Sequence, residues 1–160
     1  MTWYDVIAVL LIALIIWLES HRGFGRALFD FIGAVIALKV SGYVAGPLAE
    51  SVPLAESRGT TEAIWMVGVF VVLVALVVIG SRFLYETTLL SLDVFDPLVG
   101  GLLGAASGML LAHVFLKMLL LSYGESEVAK VLLGSFVGQE LLKFRTFHIV
   151  LNTLSNLGKW

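Results

Sequence analysis

The sequence predicts an all-α integral membrane protein, with four transmembrane helices followed by a C-terminal amphipathic, interfacial helix. Three observations carry that expectation. Hydrophobic residues make up 59% of the 160-residue chain, above the roughly 45–50% usual in soluble domains. Charged residues make up only 14%, against the ~25% with which a soluble domain covers itself. Four apolar stretches approach or exceed the ~20 residues needed to cross a bilayer core. With a mean hydropathy of +1.01, much of the chain has the lipid bilayer as its solvent.

The first span is expected from about Trp3 to Leu18, slightly short, with Asp5 at its third helical position. A carboxylate there is favoured by the helix dipole. The second runs from about Phe24 to Val44 and is expected to stop at Gly46-Pro47, because proline interrupts a helix interior. The third runs from about Glu62 to Tyr85 through "VGVFVVLVALVVIG". The fourth opens at Asp96 as N-cap and Pro97 in the first turn, and continues to about Tyr123.

The connections are short. "ESHRGFGR" joins spans one and two into a tight helical hairpin, and "GPLAESVPLAESRGTT" joins two and three. The latter holds a tandem "PLAES", read as a surface loop because two copies are too few for a solenoid. "ETTLLSLDVF" is apolar enough to lie along the membrane surface.

After Tyr123 the chain changes character, which divides it into a four-helix transmembrane domain (1–124) and a C-terminal amphipathic helical segment (125–160). Phe144, Phe147, Val150, Leu151 and Leu154 fall on one helical face, with Arg145, His148, Asn152 and Asn156 on the other. Such a helix lies in the membrane interface or docks on its own protein or a neighbouring subunit. Gly134 and Gly138 are expected to mark a bend before it.

Basic residues set orientation. The amino end has none and the second loop only Arg58, whereas the first and third loops hold Arg22, Arg26 and Arg82. That distribution favours both termini outside, although Lys130, Lys143, Arg145 and Lys159 in the tail oppose it. The amino end also lacks the basic residues and small-residue cleavage site of a signal peptide, so the first span is expected to be retained.

Gly100, Gly104 and Gly108 form a strip one turn apart on the fourth span, with Gly101 beside it. In lipid, helices gain little from hydrophobic burial, so association needs close backbone approach and small residues. The strip is a bed for another helix, in the same protomer or in a neighbour.

Ionisable groups inside spans are costly and are functional candidates by default. His113 and Lys117 lie one turn apart on the opposite face of the fourth span. Lys117 and Lys39 sit near span ends, where a lysine snorkels to the interface. His113 is read either as a structural group or as part of a polar path. Asp30 lies two turns inside span two, with Arg26 one turn before it. It forms an i,i+4 pair with Arg26, or it faces inward and ties span two to another helix.

The chain has no cysteine, which excludes disulfides and thiolate metal sites, and its net charge of −2 gives no nucleic-acid footprint. No catalytic constellation, metal site or cofactor motif can be assembled, and the chain is expected not to be an enzyme.

The stretches "WYDVIAVLLIALIIWLESHRGFGRALFDFIGAVIALKVSGYVAGPL" and "LDVFDPLVGGLLGAASGMLL" together resemble the colicin V production protein family. The residues that carry the resemblance are Asp5, Arg22-Gly23-Phe24, Arg26, Asp30, Gly33, Asp96, Gly100, Gly104 and Gly108. It covers roughly residues 3 to 123. Ala27 stands where the family often has a glycine, and Ser107 where it often has a basic residue. The resemblance implies a four-span protein of the bacterial cytoplasmic membrane tied to toxin production or export and to envelope upkeep, with Gly33 among its packing positions. It implies no catalytic activity.

Two functions of different class follow. One is an oligomeric scaffold or accessory factor that recruits membrane or envelope proteins. The other is a small oligomeric channel or transporter with a polar path through Asp30 and His113. A homo-oligomer is expected in both, because these two polar groups need partners that one protomer need not supply.

Overall fold

The structure is a computed structural model and describes residues 3–88, 95–123 and 126–143. Six helices follow one another: α1 (Trp3–Arg22), α2 (Phe24–Ser51), α3 (Arg58–Thr88), α4 (Asp96–Tyr123), α5 (Glu127–Gly134) and α6 (Phe136–Lys143). No strand occurs among the described residues. The first four helices are each long and apolar enough to cross a membrane. A 20-residue helix such as α1 spans about 30 Å, the thickness of the hydrocarbon core.

Besides the end of α3, which reaches Thr88 rather than Tyr85, three boundaries differ from the sequence expectation, each for a local reason. α1 continues past Leu18 because its polar end bonds back onto itself: Ser20 Oγ donates to the Ile16 carbonyl at 2.6 Å, and His21 Nδ1 lies 2.7 Å from the Trp17 carbonyl. α2 runs through Pro47 to Ser51 instead of stopping at Gly46. The amide that Pro47 lacks would have served the Tyr43 carbonyl, one turn back. The helix resumes beyond it, with Ser51 Oγ on the Pro47 carbonyl at 2.9 Å and Val52 N on the Leu48 carbonyl at 2.8 Å. The first "PLAES" copy is therefore helix and only the second is loop. α3 starts one turn early because Ser57 caps it, its Oγ accepting from the Thr60 amide at 3.0 Å.

The "ESHRGFGR" connection reduces to one non-helical residue, Gly23, at φ 82 and ψ 169. That backbone region is essentially closed to side-chain-bearing residues. Across it α1 and α2, though consecutive, touch little. α1 packs chiefly on α4 and α2 chiefly on α3, while α4 also packs against α2 and α3.

The α1–α4 seam runs along the glycine strip. A β-carbon on Gly100 would stand 2.7 Å from the Glu19 carbonyl oxygen, and one on Gly108 would stand 2.9 Å from the Ile12 α-carbon. Gly101 faces Ser20, whose Oγ would be 2.8 Å from such a carbon. The helix bedded on the strip thus belongs to the same chain. Gly33 plays a like part between α2 and α3, where an added β-carbon would collide with the Val77 side chain.

Beyond the glycines the core has two apolar clusters. Tyr4, Ala8, Ala112, Leu116 and Leu119 join α1 to α4, and Leu132 and Leu141 dock α5 and α6 on them. Ala37, Ala45, Met66, Phe70 and Val114 join α2, α3 and α4. Outside these, large apolar side chains lie open: Val71, Val72, Leu76, Ile79 and Phe83 on α3, Leu98, Leu102 and Met109 on α4. So much exposed apolar surface suits lipid rather than water.

The bend between α5 and α6 falls at Ser135, not at a glycine. Its Oγ donates to the Leu132 carbonyl at 3.0 Å and accepts from the Gly138 amide at 2.9 Å, which caps α6. Gly134 closes α5 and Gly138 is buried inside α6. The expected interfacial helix with Phe144, Phe147, Val150, Leu151 and Leu154 lies outside the described residues.

Candidate functional site: a buried ionic bridge beside an interhelical cavity

Because α1 ends at Arg22 and α2 begins at Phe24, the last turn of one helix stands beside the second turn of the other. Arg22 occupies the junction. One of its terminal nitrogens donates to Glu19 Oε1 at 3.1 Å and to Asp30 Oδ2 at 3.2 Å. The two carboxylate side chains retain only 5% and 9% of their exposure. A pair this buried is held by its geometry: desolvation costs several kcal/mol per ion, and close charge-assisted hydrogen bonds must offset it.

Asp30 therefore faces inward and is tied to α1 by Arg22. The expected alternative, an i,i+4 pair with Arg26, is not the bond that forms, since the break at Gly23 brings Arg22 within reach. Arg26 sits close enough to act electrostatically on Glu19, and its Nε is buried without a hydrogen bond among the described residues.

Glu19 is the residue that sequence reasoning missed. It lay in the polar string "ESHRGFGR", which read as a connection. The available signal was its i,i+3 spacing to Arg22 and its place one turn before the predicted hairpin.

Beside the bridge lies a cavity of ≈ 220 Å³ between all four spans. α1 contributes Ile15, Leu18, Glu19 and Arg22, α2 contributes Asp30 and Ala34, α3 contributes Phe70, Val74, Val77 and Val78, and α4 contributes Ser107 and Leu111. Three oxygens of its lining residues are buried with no hydrogen-bond partner among the described residues: Glu19 Oε2, Asp30 Oδ1 and Ser107 Oγ.

The other ionisable residues stand apart from this cavity. His113 Nδ1 lies 2.8 Å from the Leu141 carbonyl, so its ring joins α4 to α6. It is absent from the cavity lining, and the structure does not bring it together with Asp30. Asp5 stands in the first turn of α1 as expected but is buried, only 3% exposed, where that end of the helix packs on α4 and α6. Asp96 sits in the first turn of α4, facing Gly23. Lys39 is exposed, and the Lys117 ammonium comes near Gly42 on α2. Among the described residues no three His, Cys, Asp or Glu side chains converge as a metal site.

Four apolar spans bedded on glycines, with an ionic bridge buried among them, define a multi-pass helical membrane protein. The family model described as colicin V production protein matches residues 4–144. The chain belongs to the colicin V production protein family, and that membership supports a role in toxin production. No curated protein and no solved structure matches it.

Proposed function

We propose that the chain is a non-enzymatic accessory factor of the bacterial cytoplasmic membrane, an oligomeric scaffold serving toxin production or export and envelope upkeep, with both termini outside. The observation that carries this reading is the bridge. Three charged groups at the α1–α2 junction brace one helix against the other, with Arg22 holding Glu19 and Asp30. A scaffold that recruits membrane or envelope proteins needs such fixed relative helix positions.

The oligomeric part of the proposal rests on the amphipathic pattern of residues 144–157. The argument from Asp30 and His113 as unmatched groups loses its force, since Asp30 Oδ2 meets Arg22 and His113 meets the Leu141 carbonyl within one chain, with Asp30 Oδ1 left over among the described residues. The cavity favours a second reading, a small channel or transporter, in which Glu19 takes the place that His113 was expected to fill beside Asp30.

Two measurements separate these readings: copy number in a mild detergent, then ion flux in liposomes. The scaffold reading predicts a discrete assembly of more than one copy and no flux. A monomer removes the oligomeric proposal, and flux abolished by Asp30→Asn establishes the second reading instead.

A further inference from the structure

The cavity presents three hydrogen-bonding oxygens with no partner among the described residues, Glu19 Oε2, Asp30 Oδ1 and Ser107 Oγ. Leaving such atoms bare in an apolar interior is unfavourable by an amount comparable to a lost hydrogen bond or more. The Arg22 guanidinium does not meet this need, because it engages the other oxygen of each carboxylate. Both acids are more than nine-tenths buried.

We propose that this cavity binds a small primary ammonium group. Three features select that chemistry. A primary ammonium carries three N–H donors and no acceptor, which matches three oxygens able to accept. Among the described residues the cavity wall holds two carboxylates and one guanidinium, and those of α3 and α4 add no ionisable side chain to it. Arg26 acts on Glu19 from beyond the lining. A positive donor beside two carboxylates in a medium of low dielectric gains more than a neutral one does.

The third feature is the rest of the wall. Phe70, Val74 and Leu111 are carbon surfaces, suited to the alkyl body of an amine and not to a hydrated metal ion. Binding pockets for small molecules share this make-up, mostly apolar with a few placed polar groups. Primary ammonium groups occur on free small amines and on the headgroups of ethanolamine phospholipids, and the chemistry on the wall is common to both. The site is independent of the assembly proposed above.

The test uses the full chain in nanodiscs of phosphatidylcholine alone, titrated with n-butylammonium by calorimetry. Saturable binding is expected. n-Butanol, which lacks the charge, and butyltrimethylammonium, which lacks the N–H donors, are expected not to bind at the same concentrations. Ser107→Ala should weaken binding about tenfold, the loss of one hydrogen bond to a charged donor. Ser81→Ala should leave it unchanged, because Ser81 bonds the Val78 carbonyl and does not line the cavity. Asp30→Asn should abolish binding; where that variant fails to fold, Ser107→Ala and the probe series decide.

Repeating the titration in discs that contain phosphatidylethanolamine identifies the source. Weakening by about tenfold or more marks the lipid headgroup as the competitor, and an unchanged affinity marks a free amine. Absence of saturable butylammonium binding, or equal binding of butyltrimethylammonium, overturns the proposal and leaves the cavity to water.

Discussion

Gly104→Ala is the smallest perturbation of the seam that holds the bundle together. The new β-carbon would stand 2.9 Å from Glu19 Cβ, 3.0 Å from the Ile15 carbonyl oxygen and 3.0 Å from the Ile16 α-carbon. Optimal separations are about 3.5–4.0 Å. None of these three atoms is the end of a flexible side chain, so α1 itself must move away by roughly 0.5–1 Å. A gap of that size forfeits a quarter to a half of the attraction in each contact along the seam, each worth ~0.1–0.2 kcal/mol. Overpacking of this kind costs about 1–3 kcal/mol. Alanine's better helix propensity returns up to ~1 kcal/mol. Gly80→Ala is the matched control, because nothing lies within 4 Å of its added carbon, so only the propensity gain remains. Thermal unfolding in a mild detergent should therefore place Gly104→Ala below wild type and Gly80→Ala at or above it. Gly104→Leu should fall further than Ala106→Leu, whose site is only half-buried. Equal melting of Gly104→Ala and Gly80→Ala would refute the close-contact reasoning.

Arg22→Gln strands two buried carboxylates and should destabilise the protein by about 3–5 kcal/mol. Arg58→Gln, which breaks an exposed pair with Glu50 at 2.6 Å, should cost less than ~1 kcal/mol; chemical denaturation of both in the same detergent makes the comparison. Adding Glu19→Gln and Asp30→Asn to Arg22→Gln should recover part of the loss, since the stranded charges go with their counterion. Gly23→Ala forces a side chain into the glycine-only region at φ 82 and toward Asp96 Oδ2, 3.2 Å away. It should cost about 1–3 kcal/mol, read from the same unfolding curves.

The spans were legible because their signal is composition, which needs no tertiary information. Their ends were less so. Pro47 reads as a stop by local rules, yet near a helix end one missing hydrogen bond is tolerated. Asp30 was legible as an acid inside an apolar run, but its cation was not. Local spacing points to Arg26, four residues back, whereas the glycine break brings in Arg22, eight residues back. Glu19 was obscured for the same reason: a polar string looks like a loop until a helix is seen to run through it. The glycine strip gave a bed for a helix of the same protomer or of a neighbour, and only the fold assigns α1 to it.

With both termini outside, as proposed, the Gly23 turn between the first two spans and the ionic bridge beside it fall on the cytoplasmic half of the membrane. Side-specific labelling of single cysteines tests that most directly, and the chain's lack of native cysteine makes it clean. Ser57→Cys, in the α2–α3 loop, should react with an impermeant maleimide added outside intact cells. Ser91→Cys, between the third and fourth spans, should react only after the membrane is opened. Reaction of both from outside would contradict the account.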